Sequence, residues 1–422
     1  LVKYYSTYKT RNNVNSFLTL IIFLPLLLTI PIGLIGYFAF DIIADFLSQK
    51  NIIIRDYVWL IYITAIAFAY FEVFYSWTKV QMKTVFGNFM KEVFHRAAVM
   101  LLLFALYLEW LTIYQFINAV VGVYVLRMFI MKLYAYYIRR PILRFNNIPK
   151  LKEVLKYSAL IIIAGSVGGI ILEIDKFMIG EMLTINNVAY YGVAIYIASV
   201  IGVPSRSMHQ ITNPITAKFL NENNIEELGE LYKKSSLNLF IVSGFIFLLI
   251  VLNINQLYAL IKPEYSIALY VVFFVSIAKL SDSILGNNNA ILFNSKYYKI
   301  VLLFGVLLAA LIVVLNLFLI PKYGINGAAF ATFISVMIYN ILKLGFVYTK
   351  YKIIPFTSNT LKALLLIVIM SGIFYFWELT FHPILNIVIK SIIITAIYVF
   401  VIYKMSFSEE ITTLINKFLK PK

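Results

Sequence analysis

The sequence predicts an all-α polytopic membrane protein, with about 12 visible transmembrane helices at about 20 apolar residues per crossing. Three observations predict it: long apolar runs recur along the whole chain, 62% of residues are hydrophobic against 13% charged, and Lys and Arg collect in alternate loops. A mean hydropathy of +0.88 leaves too little polar surface to cover 422 residues in water. Hydrocarbon offers the backbone no hydrogen-bond partner, so each crossing must be helical, and the alternating pattern of a barrel strand is absent.

The apolar cores, in order, are Phe17–Phe40, Tyr57–Ser76, Phe94–Leu108, Leu111–Leu133, Tyr157–Leu172 and Val188–Val203 in the first half. Leu237–Leu252, Ile267–Leu285, Ile300–Ile320, Asn326–Val347, Leu361–Trp377 and Ile384–Tyr403 follow. Each holds enough apolar residues to span or nearly span the hydrocarbon. The third and fourth join so tightly at Glu109 and Trp110 that one long helix is an alternative. Pro25, Pro31, Gly33 and Gly36 should bend the first helix. The segment with Glu222, Glu226, Glu227 and Glu230 before Lys233 and Lys234 reads equally as an amphipathic surface helix or a solvated loop.

Loop charge tests this order, because a wrong helix count would scramble the Lys and Arg alternation. Of the 36 basic residues, 27 fall in one set of loops, from Lys3, Lys9 and Arg11 through Arg139–Lys156, Arg206 and Lys343 to Lys417, Lys420 and Lys422. Only 5 fall in the opposite set: Lys50, Arg55, Lys176, Lys262 and Lys322. The first set is expected on the cytoplasmic side, together with both visible termini. The net charge of +17 is then explained by these loops, and no nucleic-acid partner is expected. The longest outward loop, 41–56, has 16 residues and cannot house a catalytic domain. Zero cysteines exclude disulfides, thiolate metal sites and cysteine nucleophiles. His95, His209 and His382 are too few and too scattered for a catalytic group, so neither an enzyme, a metal site nor a cofactor is expected. The chain starts with Leu and shows no signal-peptide pattern, which leads to the expectation that an upstream part is missing.

Four basic residues lie inside helices: Arg96, Arg127, Lys279 and Lys390. Each would cost roughly 2.5–3.5 kcal/mol facing lipid, so each should face protein or water. Arg96, Arg127 and Lys279 fall in the cytoplasmic half, and Arg206 lies in the next cytoplasmic segment. Cations in a partly dehydrated cavity suit a diphosphate, Arg through bidentate bonds and Lys as a point charge. Snorkelling competes with this reading for Arg96, and neutralisation by Asp282, one turn away, competes for Lys279. Lys390 reads as structural. Glu72, Asp175 and Asp282 are the candidates for coupling to H⁺ or Na⁺, although Asp175 beside Lys176 also reads as a plain helix-end charge.

Two motifs carry a family resemblance. Asp175-Lys-Phe-Met-Ile-Gly180, followed by Val188-Ala-Tyr-Tyr-Gly-Val-Ala194 and an apolar run to Pro204, resembles the polysaccharide and O-antigen flippases; so does Ile320-Pro-Lys-Tyr-Gly-Ile-Asn-Gly-Ala-Ala-Phe-Ala-Thr332. The resemblance implies the multidrug/oligosaccharidyl-lipid/polysaccharide exporter superfamily, with two lobes of six helices around a central cavity and two further helices. On that pattern residues 1–150 form an N-terminal lobe of four visible helices, incomplete by the first two of 14. Residues 151–350 form the second lobe, and 351–422 supply the additional pair and a cytoplasmic tail. The implied function is alternating-access flipping of a polyprenyl-diphosphate-linked oligosaccharide from the cytoplasmic to the outer leaflet of the bacterial inner membrane, for polysaccharide, O-antigen and lipopolysaccharide synthesis. Membrane lipids and a glycan polymerase are its expected partners. The alternatives are a multidrug cation antiporter of the same fold, whose cavity should be acidic rather than basic, and a membrane enzyme or scaffold of glycan assembly.

Overall fold

The structure, a computed structural model, describes residues 1–5, 8, 10–145, 148–378 and 380–419. Lys9, Lys420 and Lys422 of the basic set lie outside the described residues, as does the Lys3 side chain. Among the described residues the chain is helical with no strand, and nine helical runs are long and apolar enough to cross a membrane. It divides into two compact units, Leu1–Ile162 and Ile163–Lys422.

In the first unit α1 (Arg11–Phe38), α2 (Phe40–Ser48), α3 (Val58–Val80), α4 (His95–Tyr107) and α5 (Ile113–Ile138) follow in order. Thr10 caps α1 by accepting from the Asn13 amide, and Thr112 with Gln115 forms a capping box at the start of α5. Around the two prolines of α1, the α3 hydroxyls of Tyr70 and Tyr62 donate to the carbonyls of Ile22 (3.0 Å) and Thr29 (2.7 Å). These bonds tie α3 to the proline-containing stretch of α1 through backbone carbonyls, where hydrocarbon offers no other donor. The core of the unit is aromatic, with Phe17, Phe71, Phe74 and Trp77 packed against Met90 and Met131. Glu109 takes φ 58° between α4 and α5, so the third and fourth apolar runs are two helices rather than one.

The second unit begins within α6 (Leu151–Met182), which is followed by α7 (Ile185–Ser199), α8 (Val203–Asn221) and α9 (Ile225–Val251). The acidic stretch before Lys233 is helix: Asn224 caps α9 through the Glu227 amide, Glu226 and Glu227 occupy its first turn, and the helix runs on unbroken into the crossing. Then come α10 (Ile254–Ile261), α11 (Leu269–Ser283), α12 (Asn288–Asn294), α13 (Tyr298–Tyr351), α14 (Ser358–Tyr375), α15 (Pro383–Lys404) and the short α16 (Glu409–Leu419). At about 1.5 Å per residue, a 54-residue helix is about 80 Å long, enough for two crossings. The break comes at Gly324, whose φ 59° and ψ −139° are open only to glycine, three residues after Pro321. α14 and α15 pack on α9 through Ile367, Met370, Ile394 and Tyr398.

The turn at Gly324 folds tightly. A Cβ built on Gly327 would stand 2.1 Å from the Leu319 carbonyl oxygen, backbone that cannot swing away. Gly327→Ala is therefore expected to cost about 1–3 kcal/mol through overpacking. Gly345→Ala, with nothing within 4 Å of its Cβ, should leave the melting temperature in detergent unchanged.

Candidate functional site

Asp175 lies in α6, within the motif Asp175–Gly180, and only 7% of it is exposed. Its carboxylate accepts three hydrogen bonds: from the Tyr191 hydroxyl on α7 (2.6 Å), the Asn316 amide on the first limb of α13 (2.7 Å) and the Thr332 hydroxyl on the second limb (2.5 Å). The Gly324 turn is what returns the chain so that both limbs reach one carboxylate. Asn316 Oδ1, beside this cluster, is buried without a partner among the described residues. Lys176 turns away and pairs with Glu173 (2.8 Å), because adjacent residues of a helix do not share a face while residues three apart do. Asp175 is thus a buried carboxylate surrounded by neutral donors, not one half of a helix-end ion pair.

Asp175 forms one end of a cavity of about 210 Å³. One wall is α11, through Val275, Lys279 and Asp282, and the facing wall is the second limb of α13, through Thr332, Val336 and Tyr339. The spacing i, i+4, i+7 puts each trio on one helical face, over about 10 Å. The two walls run parallel: Phe274 stacks near Phe330 and Phe333, Ser281 accepts from Asn340 (3.1 Å), and Asp282 accepts from Lys343 (3.2 Å). Val275 is therefore level with Thr332 and Asp175, and Asp282 is level with Tyr339 and Lys343. The Asp282 end is open, with 44% of that side chain exposed.

Lys343 was grouped by sequence with the loop cations, and the structure corrects this. It is 1% exposed inside α13, donating to Asp282 and to Asn289 (3.1 Å), with its ammonium 4.3 Å from the centre of the Tyr339 ring. Asp282 is therefore engaged by Lys343 rather than by Lys279 alone. The Lys279 ammonium has no hydrogen-bond or ion-pair contact among the described residues, although its charge acts on Asp282.

Of the seven candidate residues, Asp175, Lys279 and Asp282 share this cavity, and four do not line it. Arg206 is exposed on α8. In the first unit, Arg96 is exposed and pairs with Glu92 (3.1 Å), and Glu72 pairs with Lys91 (2.6 Å). Arg127, only 3% exposed, lies with its guanidinium over Phe71 (4.0 Å), Phe68 (5.0 Å) and Tyr124 (5.1 Å), and its Nε is without a partner among the described residues. Sequence reasoning missed Tyr191, Asn316, Thr332 and Lys343. Asn316 carried a usable signal, as the one polar residue in the run Leu307–Ile320.

No three acidic or histidine side chains converge on a metal-sized site among the described residues. An ion at Asp175 would be held by one carboxylate and neutral oxygens, a donor set matched in charge to a proton or a monovalent cation.

Among curated proteins no sequence relative is found. The MatE family model matches residues 161–281, which include Asp175, Tyr191 and Lys279 and stop just before Asp282. Among solved structures the fold matches "Lipid II flippase MurJ, inward closed conformation", at 13% identity and a TM-score of 0.74 over 96% of this chain and 87% of that one. The chain thus shares the fold of that solved structure across nearly its whole length, and Asp175 lies within the segment 161–281 that the MatE model matches.

Proposed function

We propose that this protein flips a polyprenyl-diphosphate-linked oligosaccharide from the cytoplasmic to the outer leaflet of a bacterial cytoplasmic membrane, driven by a monovalent cation or proton that binds at Asp175. The observation that carries the reading is the extent of the fold match, 96% of the chain, which takes in α14 and α15 as well as the MatE-like segment. On this reading the substrate serves cell-surface polysaccharide or O-antigen synthesis, and a glycan polymerase receives it. The coupling role of Asp175 is supported by its burial, its three neutral donors and the unsatisfied Asn316 oxygen beside it.

Arg127 is the substrate contact in the first unit on this reading. A guanidinium 3% exposed, capped by three aromatic faces and without an ion-pair contact among the described residues, has donors to spare for a diphosphate oxygen. The MatE match also suits a multidrug cation antiporter. The two are separated in proteoliposomes holding the full chain, by following a polyprenyl-diphosphate-linked oligosaccharide and a cationic dye in parallel. The expected result is translocation of the lipid-linked sugar, lowered at least about tenfold by Arg127→Ala at matched folding, which is a loss of about 1.4 kcal/mol. Dye efflux without sugar translocation would overturn the reading in favour of the antiporter.

A further inference from the structure

We propose that the cavity between the start of α1 and the end of α5 holds the phosphate head group of an anionic membrane phospholipid. The site lies wholly in the first unit and does not depend on the reading of Asp175 or of Arg127.

The chain that leaves α5 sets the geometry. Arg139, which ends that helix with extended dihedrals, donates to the Asn15 side chain near the start of α1 (3.2 Å) and to the Tyr5 hydroxyl. The Arg144 amide donates to the Thr19 hydroxyl (3.0 Å), and the Phe145 ring packs on Phe23 (5.7 Å). From Arg139 to Phe145 the contacts thus move from Asn15 to Phe23, so a non-helical strap runs along α1, away from the end expected to face the cytoplasm. Eight helical residues span about 12 Å. Non-helical backbone at such a depth is tolerated only where protein or a water-filled cavity lies beside it. A cavity of about 530 Å³ does lie there, lined by Arg11, Arg139 and Arg140 together with the buried Asn15, Pro141 and Ile142.

Charge decides what the cavity can take. Three of the chain's eight arginines line it, in a protein with 28 lysines, and none of the three has an ion pair among the described residues. Every acid of the unit is placed elsewhere. Asp41 and Asp45 pair with Arg55, Glu72 with Lys91, Glu92 with Arg96 and Glu153 with Lys150. Asp56 and Glu109 belong to the opposite end of α5, where Tyr57 meets Tyr114 (5.9 Å). Three guanidinium groups gathered without a counter-charge repel one another, and an anion relieves that repulsion. Planar guanidinium forks suit phosphate oxygens in particular.

The strap selects the lipid form of that anion. Ile142, Leu143 and Phe145 are 44%, 55% and 78% exposed, and they continue from the arginines along α1 as far as Phe23. A free phosphate would use the arginines alone. A phospholipid sets its phosphate among them and its acyl chains along these apolar side chains, as basic pockets at the cytoplasmic membrane boundary do.

The test is a titration of the purified full chain in detergent with dioleoylphosphatidylglycerol, reading the melting temperature at each lipid fraction, with dioleoylphosphatidylcholine and inorganic phosphate in parallel. The expected result is a rise in melting temperature with phosphatidylglycerol alone, and a half-saturating fraction at least about tenfold higher in the double variant Arg11→Gln with Arg140→Gln. Lys299→Gln with Lys417→Gln removes the same charge from exposed positions of the second unit and should stay at wild type. Should the arginine variant fold poorly, Arg140→Gln alone gives the same comparison, because that side chain is exposed and makes no hydrogen bond among the described residues. An unchanged response in the arginine variants overturns the site, and an equal loss in the lysine variant does so by making the binding a matter of net charge. A response to inorganic phosphate or phosphatidylcholine that matches phosphatidylglycerol overturns the assignment to an anionic lipid. Loss of lipid-linked oligosaccharide translocation in the arginine variants, with phosphatidylglycerol binding intact, also overturns it and gives the cavity to the transported substrate.

Discussion

Asp175→Asn is expected to abolish ion-driven translocation while leaving the protein folded. The carboxylate is 7% exposed and accepts from Tyr191, Asn316 and Thr332. An asparagine keeps the shape and one accepting oxygen, and the two hydroxyls can rotate to accept from its amide, so the local hydrogen bonds are largely rebuilt. What is lost is the charge. A fall in transport of at least about 100-fold, or about 2.7 kcal/mol, is expected from removing the carboxylate charge on which these three donors converge. Asp175→Ala should differ in kind. It leaves Tyr191, Asn316 and Thr332 without their acceptor, and unpaired buried polar groups cost about 1–3 kcal/mol each, so the melting temperature in detergent should fall as well. The pair of variants separates chemistry from packing. Normal translocation by Asp175→Asn, at matched expression and melting temperature, would make the residue a structural hub and remove it from the coupling mechanism.

The fold was legible in the sequence wherever a local rule governs it. Hydrocarbon forces each crossing into a helix of bounded length, so the apolar runs mark the helices well. The break at Gly324 could be read from Ile320-Pro-Lys-Tyr-Gly324, because proline and glycine punctuate a helix by their own backbone chemistry. The acidic start of α9 was ambiguous because its polar residues suit a loop or a helix face equally; the Asn224 cap and the first-turn glutamates decide it.

What escaped the sequence depends on partners distant along the chain. Lys343 looked like one more loop cation at the end of a crossing, and its burial follows from Asp282, 61 residues earlier. Asp175 was recognised, yet its surroundings come from Asn316 and Thr332, 141 and 157 residues away, and no local pattern encodes that meeting. Its neighbour Lys176 misled for the opposite reason, since closeness in sequence placed it on a different helical face. Arg127 is buried, and its stack on Phe68 and Phe71 required the packing of α3 against α5, which no local pattern encodes.

The Asp282–Lys343 pair should show a lopsided response to mutation. Lys343 is 1% exposed, whereas 44% of the Asp282 side chain is exposed, so the two partners lose different amounts when left alone. Asp282→Ala strands a buried ammonium with only Asn289 and the face of Tyr339 for company. Breaking a buried pair in this way costs about 3–5 kcal/mol. Lys343→Met strands a carboxylate that water can still reach, and it fills the hole with an apolar chain of similar length, so it should cost clearly less. The double variant Asp282→Ala with Lys343→Met removes both members of the pair and should recover most of the loss. Melting temperatures of the three variants in detergent provide the cycle. Equal penalties for the two single changes that simply add in the double would mean that Asp282 and Lys343 are two independent surface-like charges, and would remove the neutral pair on which the charge balance of the cavity depends.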